Sequence, residues 1–197
     1  MLPPMRLFIA LDIDDAIRQQ IRRFLEGVRE FAPEVRWVHT ESFHITLKFI
    51  GEQPPERAEA IKRALAAVRA AATTVSFRGS GFFPNPKSAR VFWVGMESDQ
   101  HLGALAQAVD DAVAALGITR EAHEYTPHLT LARAGSGRPG RMHGDGPNRA
   151  FARLQEKLAA MPPPDFGTMT AREFFLYQSK LSPKGAEYTK LERFGLQ

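Results

Sequence analysis

Apolar blocks and helix-spaced apolar stripes alternate along the first half of the chain. Residues 6–13 (RLFIALDI) are apolar enough to predict a buried strand, and Asp14 can cap the helix that follows. Further strands are predicted around 37–38 and over 43–51 (FHITLKFIG), with a second helix after the proline pair at 54–55. The stripes are Ile17, Ile21, Phe24, Leu25 and Val28 in the first helix, and Ala58, Ile61, Leu65 and Val68 in the second.

The second half repeats the same kinds of element. A helix ends at Gly117, a strand (PHLTLAR) follows at 127–133, and 135–148 predict a glycine-rich basic loop without periodicity. The other predicted elements are strands at 75–83, 90–96, 173–179 and 187–194, and a helix near 149–160. Because strands and helices interleave without strict alternation, the pattern favours an α+β fold over a doubly wound sheet. The parallel between the halves suggests two similar lobes, which we expect to form one bilobal domain over 1–197.

The composition is that of an ordinary globular protein, with 44% hydrophobic and 24% charged residues. The net charge of +4 tilts the surface towards polyanionic partners. The absence of cysteine excludes disulfides, thiolate nucleophiles and iron–sulfur clusters, and favours a reducing compartment. No signal peptide is evident and no run approaches the ~20 apolar residues of a membrane span, so we expect a cytoplasmic protein without membrane association.

The tetrapeptide His-x-Thr-Leu occurs twice, at 44–47 and 128–131, each time inside a predicted strand. Side chains alternate between the faces of a strand, so the histidine and threonine share one face and the apolar pair shares the other. If the two strands are neighbours, two imidazoles and two hydroxyls converge. A single copy is more typical of a structural histidine, but two copies with the same parity favour a functional site.

That group of side chains suits phosphodiester chemistry. In-line displacement at phosphorus needs a base on the attacking side and an acid on the leaving side, and imidazole can perform either role near neutral pH. Threonine hydroxyls can donate hydrogen bonds to the non-bridging oxygens. The motif lacks the carboxylates and the HExxH spacing of a hydrolytic metal site, so no metal or other cofactor is expected.

The two motifs resemble those of the 2H phosphoesterase superfamily. Five blocks narrow the resemblance to the RNA 2′,3′-cyclic phosphodiesterases, also called 2′-5′ RNA ligases: RLFIALDI, FHITLKFIGE, FFPNPKSARVFWVG, YTPHLTLAR and FFLYQSKLSPKGAEYTKLERF. The resemblance implies two pseudo-symmetric lobes, with antiparallel sheets lining a central cleft and helices outside. It also implies hydrolysis of RNA-terminal 2′,3′-cyclic phosphate to a 2′-phosphomonoester, and weak reverse 2′-5′ joining of tRNA halves.

By the same resemblance, His44 is the proton donor to the leaving 3′-oxygen and His128 the proton acceptor that activates water. Thr46 and Thr130 would hold the phosphate. The sequence alone does not orient the substrate between the two imidazoles. The family pattern also gives Arg133 a phosphate contact, although simple strand alternation places it opposite His128.

Other residues are weaker candidates for the same site. Phe43 and Tyr125 could stack on a base, although core packing is the more typical use of Phe43. Lys48 shares the His44 face and could lend positive charge. His39 and His123 could flank the cleft. A basic cluster could guide an RNA backbone; it consists of Arg138, Arg141, Arg149 and Lys157.

The sequence is also compatible with two other functions. A related two-histidine enzyme could act on another nucleotide, such as an ADP-ribose cyclic phosphate or a 2′-5′ oligoadenylate. A non-catalytic RNA-end binder would account for the basic charge but not for the duplicated histidines. For the favoured function the partners are RNAs with 2′,3′-cyclic phosphate ends, either tRNA halves or nucleoside cyclic phosphates, and a monomer is expected.

Overall fold

The computed structural model describes residues 3–135, 149–182 and 185–197. The strands are β1 (Met5–Asp12), β2 (Arg36–Trp37), β3 (His44–Gln53), β4 (Thr73–Phe83), β5 (Val91–Ser98), β6 (His128–Arg133), β7 (Asp165–Ala171), β8 (Glu173–Ser182) and β9 (Gly185–Gly195). The α-helices are α1 (Asp15–Val28), α2 (Ala58–Ala66), α3 (Gln100–Ala114) and α4 (Ala152–Ala159). No helix in the described parts of the chain is long and apolar enough to cross a membrane.

The strands form two antiparallel sheets. One has the order β3-β1-β8-β9 and the other the order β2-β6-β5-β4-β7. The two motif strands, β3 and β6, therefore belong to different sheets. In each of them the motif histidine is the first residue of the strand. The predicted α+β class with two antiparallel lobes is confirmed.

The apolar pattern of β1 is explained by burial on both faces. Leu7, Ile9 and Leu11 belong to the main core, whereas Phe8 and Ala10 pack in a smaller cluster on the other face. The α1 stripe also faces the core, with Ile17, Ile21, Leu25 and Val28 buried. A central strand covered on both sides holds the neighbouring β3 in place.

Each motif strand contains a β-bulge at the leucine of its His-x-Thr-Leu. In β3 the bulge residue is Leu47, which lies between the cross-strand pairs Thr46–Ala10 and Lys48–Ile9. A bulge places two residues opposite one, so the alternation of faces reverses beyond it. Lys48 therefore turns away from the His44 face.

The bulge in β6 occupies the equivalent position. Leu131 lies between the pairs Thr130–Trp93 and Ala132–Phe92. The six residues from each motif histidine onwards share one burial pattern: half-buried, buried, half-buried, buried, buried, exposed. The two lobes thus repeat a backbone irregularity as well as a sequence motif.

One strand was not predicted from the sequence. The proline-rich MPPPDFG segment indicated only a helix break, but Asp165–Ala171 forms β7 and pairs with β4 along its length. The final two strands also extend further into their connection than predicted, to Ser182 and from Gly185. The predicted loop over 135–148, with Arg138 and Arg141, lies outside the described residues except for Gly135.

Candidate active site

Both motifs open into one cavity of about 1000 Å³. Its lining includes His44 and Thr46 from β3 together with His128 and Thr130 from β6. Four polar side chains predicted from two distant segments therefore meet at a single space between the sheets.

The two imidazoles are oriented in the same way. Nδ1 of His44 lies 2.7 Å from the carbonyl oxygen of Ser42, and Nδ1 of His128 lies 2.9 Å from that of Thr126. A carbonyl oxygen can only accept, so Nδ1 carries the proton in both rings. Nε2 is then the nitrogen left for chemistry, as a base in the neutral ring and as an acid in the imidazolium.

The imidazole of His44 is enclosed by aromatic side chains. Its ring centroid lies 4.8 Å from that of Phe8 and 5.1 Å from that of Tyr188. Burial lowers the pKa of His44 from its ordinary value, and the positive charge of Arg133 acts in the same direction. Asp12 opposes both, because a nearby carboxylate favours the imidazolium.

Asp12 is fixed directly across the strand pair from His44. Its carboxylate accepts from Arg18 Nη2 at 2.9 Å and from Lys190 Nζ at 2.6 Å. The equivalent position across from His128 is Gly95, where an added Cβ would lie 2.5 Å from the backbone oxygen of Arg78. The pseudo-symmetry of the motifs thus breaks at this position: the cross-strand partner of His44 is a carboxylate, and that of His128 is a glycine.

Arg133 lines the same cavity as the four motif side chains. Simple alternation placed it on the opposite face from His128, and that placement is wrong because the bulge at Leu131 reverses the parity. The phosphate contact suggested for Arg133 is therefore geometrically open to it. The equivalent residue in β3 is Phe49, which also lines the cavity and is 57% exposed.

The predicted stacking residues occupy other positions. Phe43 is 2% exposed within the main core, so it packs in the core, the use that the sequence favoured for it, and does not stack on a base. Tyr125 is absent from the cavity lining, and its hydroxyl donates to the carbonyl oxygen of Thr46 at 3.1 Å. Tyr125 thus ties the segment before β6 to the motif of β3. Phe49 is an exposed aromatic residue of the cavity lining, where it is open to a base.

The ammonium group of Lys48 does not face the cavity. Its side chain is 2% exposed, and Nζ lies 2.7 Å from Asp110 Oδ1 and 3.3 Å from Glu121 Oε1. It also donates to the carbonyl oxygen of Thr119 at 2.7 Å. The prediction that Lys48 faces the site is wrong because the bulge at Leu47 turns it towards α3 and the segment after it.

The cavity is also lined by residues outside the two motifs. His39 lines the cavity, as predicted, and His123 does not. The lining residues that the sequence pattern missed include Arg6, Arg36, Ser179 and Tyr188. Strand alternation could indicate which of these side chains face the cavity, but only if it is known that β1 lies beside β8 and β2 beside β6.

Comparison with known proteins identifies relatives across the whole chain. The sequence model of the family described as LigT like phosphoesterase matches twice, over 11–93 and over 94–188. An RNA 2′,3′-cyclic phosphodiesterase of Archaeoglobus fulgidus is 35% identical over 190 residues, covering 96% of this chain and 99% of that protein. One from Escherichia coli is 29% identical over 199 residues, covering 100% of this chain and 99% of that protein. The crystal structure of E. coli LigT complexed with 3′-AMP has a TM-score of 0.77 to this chain at 29% identity, covering 98% and 99% of the two chains.

Proposed function

Because the chain belongs to the LigT-like phosphoesterase family, we propose that it hydrolyses RNA-terminal 2′,3′-cyclic phosphate to a 2′-phosphomonoester. The family match confirms the resemblance that the sequence motifs indicated. The observation that carries the proposal is the shared cavity, where both imidazoles present Nε2 and both motif threonines lie alongside. The relatives named RNA 2′,3′-cyclic phosphodiesterase support the choice of substrate.

The reaction divides between the two histidines. Neutral His128 takes a proton from water through Nε2 as the water oxygen bonds to phosphorus. The bond from phosphorus to the 3′-oxygen breaks, and His44 gives its Nε2 proton to that oxygen. The hydroxyls of Thr46 and Thr130 donate to the non-bridging oxygens and stabilise the charge on the phosphoryl group. Proton transfer and charge stabilisation thus come from the chain's own side chains, and the proposed step needs no metal ion.

Asp12 supports the choice of His44 as the donor. The donor must be protonated when the leaving oxygen departs, and a carboxylate across the strand pair favours that state. The bound phosphate anion would act in the same direction, against the burial that lowers the pKa of His44 in the empty cavity. His128 has glycine at the equivalent position and no such carboxylate.

The same site would support the reverse joining of RNA ends. A 5′-hydroxyl would take the place of water, lose its proton to His128 and bond to phosphorus, with the 3′-oxygen again leaving to His44. The product would be a 2′-5′ linkage between two RNA segments such as tRNA halves. Water is present in large excess, so hydrolysis should dominate unless the second RNA end is bound beside the first.

Purified protein is expected to open nucleoside 2′,3′-cyclic phosphates in the presence of EDTA and to release the 2′-monophosphate. Product identity is read by chromatography against the 2′ and 3′ isomers. Loss of activity with EDTA would contradict the metal-independent mechanism, and a 3′ product would reverse the leaving-group assignment. Turnover confined to an ADP-ribose cyclic phosphate or to 2′-5′ oligoadenylate would favour the related two-histidine enzyme. Binding of RNA ends without any turnover would favour the non-catalytic protein.

The same assay at different pH values tests the donor role through Asp12→Asn. Removing the carboxylate lowers the pKa of His44 further, since its charge raises that pKa in the native protein. At pH 8, well above the ordinary histidine value of ~6.5, the protonated fraction falls tenfold for each unit of lowered pKa. If His44 is the donor, kcat/KM at pH 8 therefore drops severalfold in Asp12→Asn.

A base role for His44 has the opposite signature. His44 is then already neutral at pH 8, so Asp12→Asn leaves kcat/KM there unchanged and raises it on the acidic side. Asp15→Asn is the matched control, because it removes the same charge from a carboxylate that is 92% exposed. The control should match the parent protein at both pH values.

A further inference from the structure

One end of the cavity carries three arginines with no acidic partner among the described residues. They are Arg6 from β1, Arg36 from β2 and Arg133 from β6, and all three line the cavity. No aspartate or glutamate belongs to the described lining. The carboxylate near His44, that of Asp12, is already paired with Arg18 and Lys190.

Two of these arginines lie directly opposite each other. Arg36 and Arg133 are cross-strand partners in the antiparallel pair of β2 and β6, so their side chains leave the same face of the sheet. Like charges in this arrangement destabilise a sheet. A bound anion between them would remove that penalty, which makes the pair suited to a ligand.

Arg6 approaches from the opposite sheet. Burial raises the pKa of Tyr188, and the positive charges of Arg133 and Arg6 both oppose that rise. Both guanidinium groups therefore act on the same hydroxyl, although their strands belong to different sheets. The three arginines form a positive rim across one end of the cavity.

The backbone of the arginine pair lies away from the motif threonine of β6, although the charge of Arg133 also acts on His44. Arg133 lies three residues beyond Thr130 along β6, roughly 10 Å at about 3.3 Å per residue. Arg36 lies across from Arg133 on β2, the edge strand of the same sheet. The backbone of the arginine pair is thus offset along β6 from the motif threonine, as a second phosphate of the same RNA strand would be.

We propose that Arg36, together with Arg133 and Arg6, binds the phosphate that links the terminal nucleotide to the one before it. The inference rests on the proposed function and names its substrate as an RNA strand of at least two nucleotides with a cyclic end. Guanidinium groups bind phosphate through paired, charge-assisted hydrogen bonds, so an arginine pair is well matched to such a group. A nucleoside cyclic phosphate has no upstream phosphate and leaves this rim unused.

The test compares two substrates in two variants. The substrates are a nucleoside 2′,3′-cyclic phosphate and a dinucleotide ending in the same nucleoside 2′,3′-cyclic phosphate. Arg36→Gln should lower the ratio of kcat/KM for the dinucleotide to kcat/KM for the nucleoside by about tenfold, the scale of a lost charge-assisted contact. Arg23→Gln removes the same charge from an exposed position on α1 and should leave the ratio at the parent value.

A second measurement changes the substrate and leaves the protein intact. A dinucleotide with an uncharged methylphosphonate at the internal linkage should lose its advantage over the nucleoside, and Arg36→Gln should no longer affect it. An unchanged ratio in Arg36→Gln, or a methylphosphonate substrate as good as the phosphate, would overturn the inference. If neither substrate is hydrolysed, the proposed function fails, and the same ratio measured as equilibrium dissociation constants decides on the subsite.

Discussion

Replacing His44 or His128 with alanine is expected to lower kcat on a nucleoside 2′,3′-cyclic phosphate by about 10²–10⁴-fold, the scale of one lost acid or base. Each variant removes one Nε2 from the shared cavity and leaves the other imidazole in place. The leaving 3′-oxygen is a poor leaving group without a proton, and water is a poor nucleophile without a base. Steady-state rates from single-isomer substrate measure both effects.

The control for these variants is His101→Ala. His101 is a half-exposed histidine at the start of α3 and does not line the cavity. It should keep the parent rate, which separates a catalytic loss from a general effect of removing a histidine. If His44→Ala and His128→Ala both retain parent turnover, the acid–base proposal fails and a non-catalytic binding role gains support.

Lys48→Met is expected to lower the free energy of unfolding by about 3–5 kcal/mol, the range for breaking a buried ion pair. The side chain of Lys48 is 2% exposed and that of its partner Asp110 is 12% exposed. Losing the ammonium leaves a desolvated carboxylate with less compensation, and the carbonyl oxygen of Thr119 loses its donor. Urea unfolding with an unchanged m-value measures the difference.

Two further variants test the origin of that loss. Lys62→Met breaks a surface pair with Glu59, which is 68% exposed, and should cost less than about 1 kcal/mol. Adding Asp110→Asn to Lys48→Met removes the carboxylate that has lost its buried ammonium partner and keeps the weaker contact with Arg120, and it should restore part of the stability. A cost for Lys48→Met no larger than that of Lys62→Met would show that the buried pair does not hold β3 against α3.

The parts of the fold that follow local patterns could be predicted from the sequence. The strand at 6–13, the stripe of α1 and both motif strands appear where the apolar spacing places them. Repetition of the motif predicted that distant histidines converge, and the shared cavity agrees with it. These features depend on short-range periodicity, which a single sequence displays directly.

The orientation of Lys48 and Arg133 could not be predicted in the same way. Counting alternate residues gave each the wrong face, because a bulge at Leu47 and another at Leu131 reverse the count. A bulge depends on the pairing of two strands, and neither strand alone displays it. The correction moves one positive charge out of the site and another into it.

The arginine rim depends on sheet order in the same way. Arg36 enters the cavity because two residues, Arg36 and Trp37, pair with β6 from nearly a hundred positions earlier. Phe43 is the opposite example: it lies next to the motif in sequence, but its side chain is buried in the main core and does not line the cavity. Proximity in sequence was thus a poor guide to the walls of the cavity around the four motif residues.

The sharing of one phosphoryl group by the two imidazoles is tested most directly by titrating the protein with a nucleoside 2′-monophosphate and recording the imidazole nitrogens by NMR. If both imidazoles contact one bound phosphoryl group, Nε2 of His44 and Nε2 of His128 will respond together, with one dissociation constant, while His101 will be unaffected. A response from only one of the two, or separate constants for each, would mean that the imidazoles do not share one phosphoryl group.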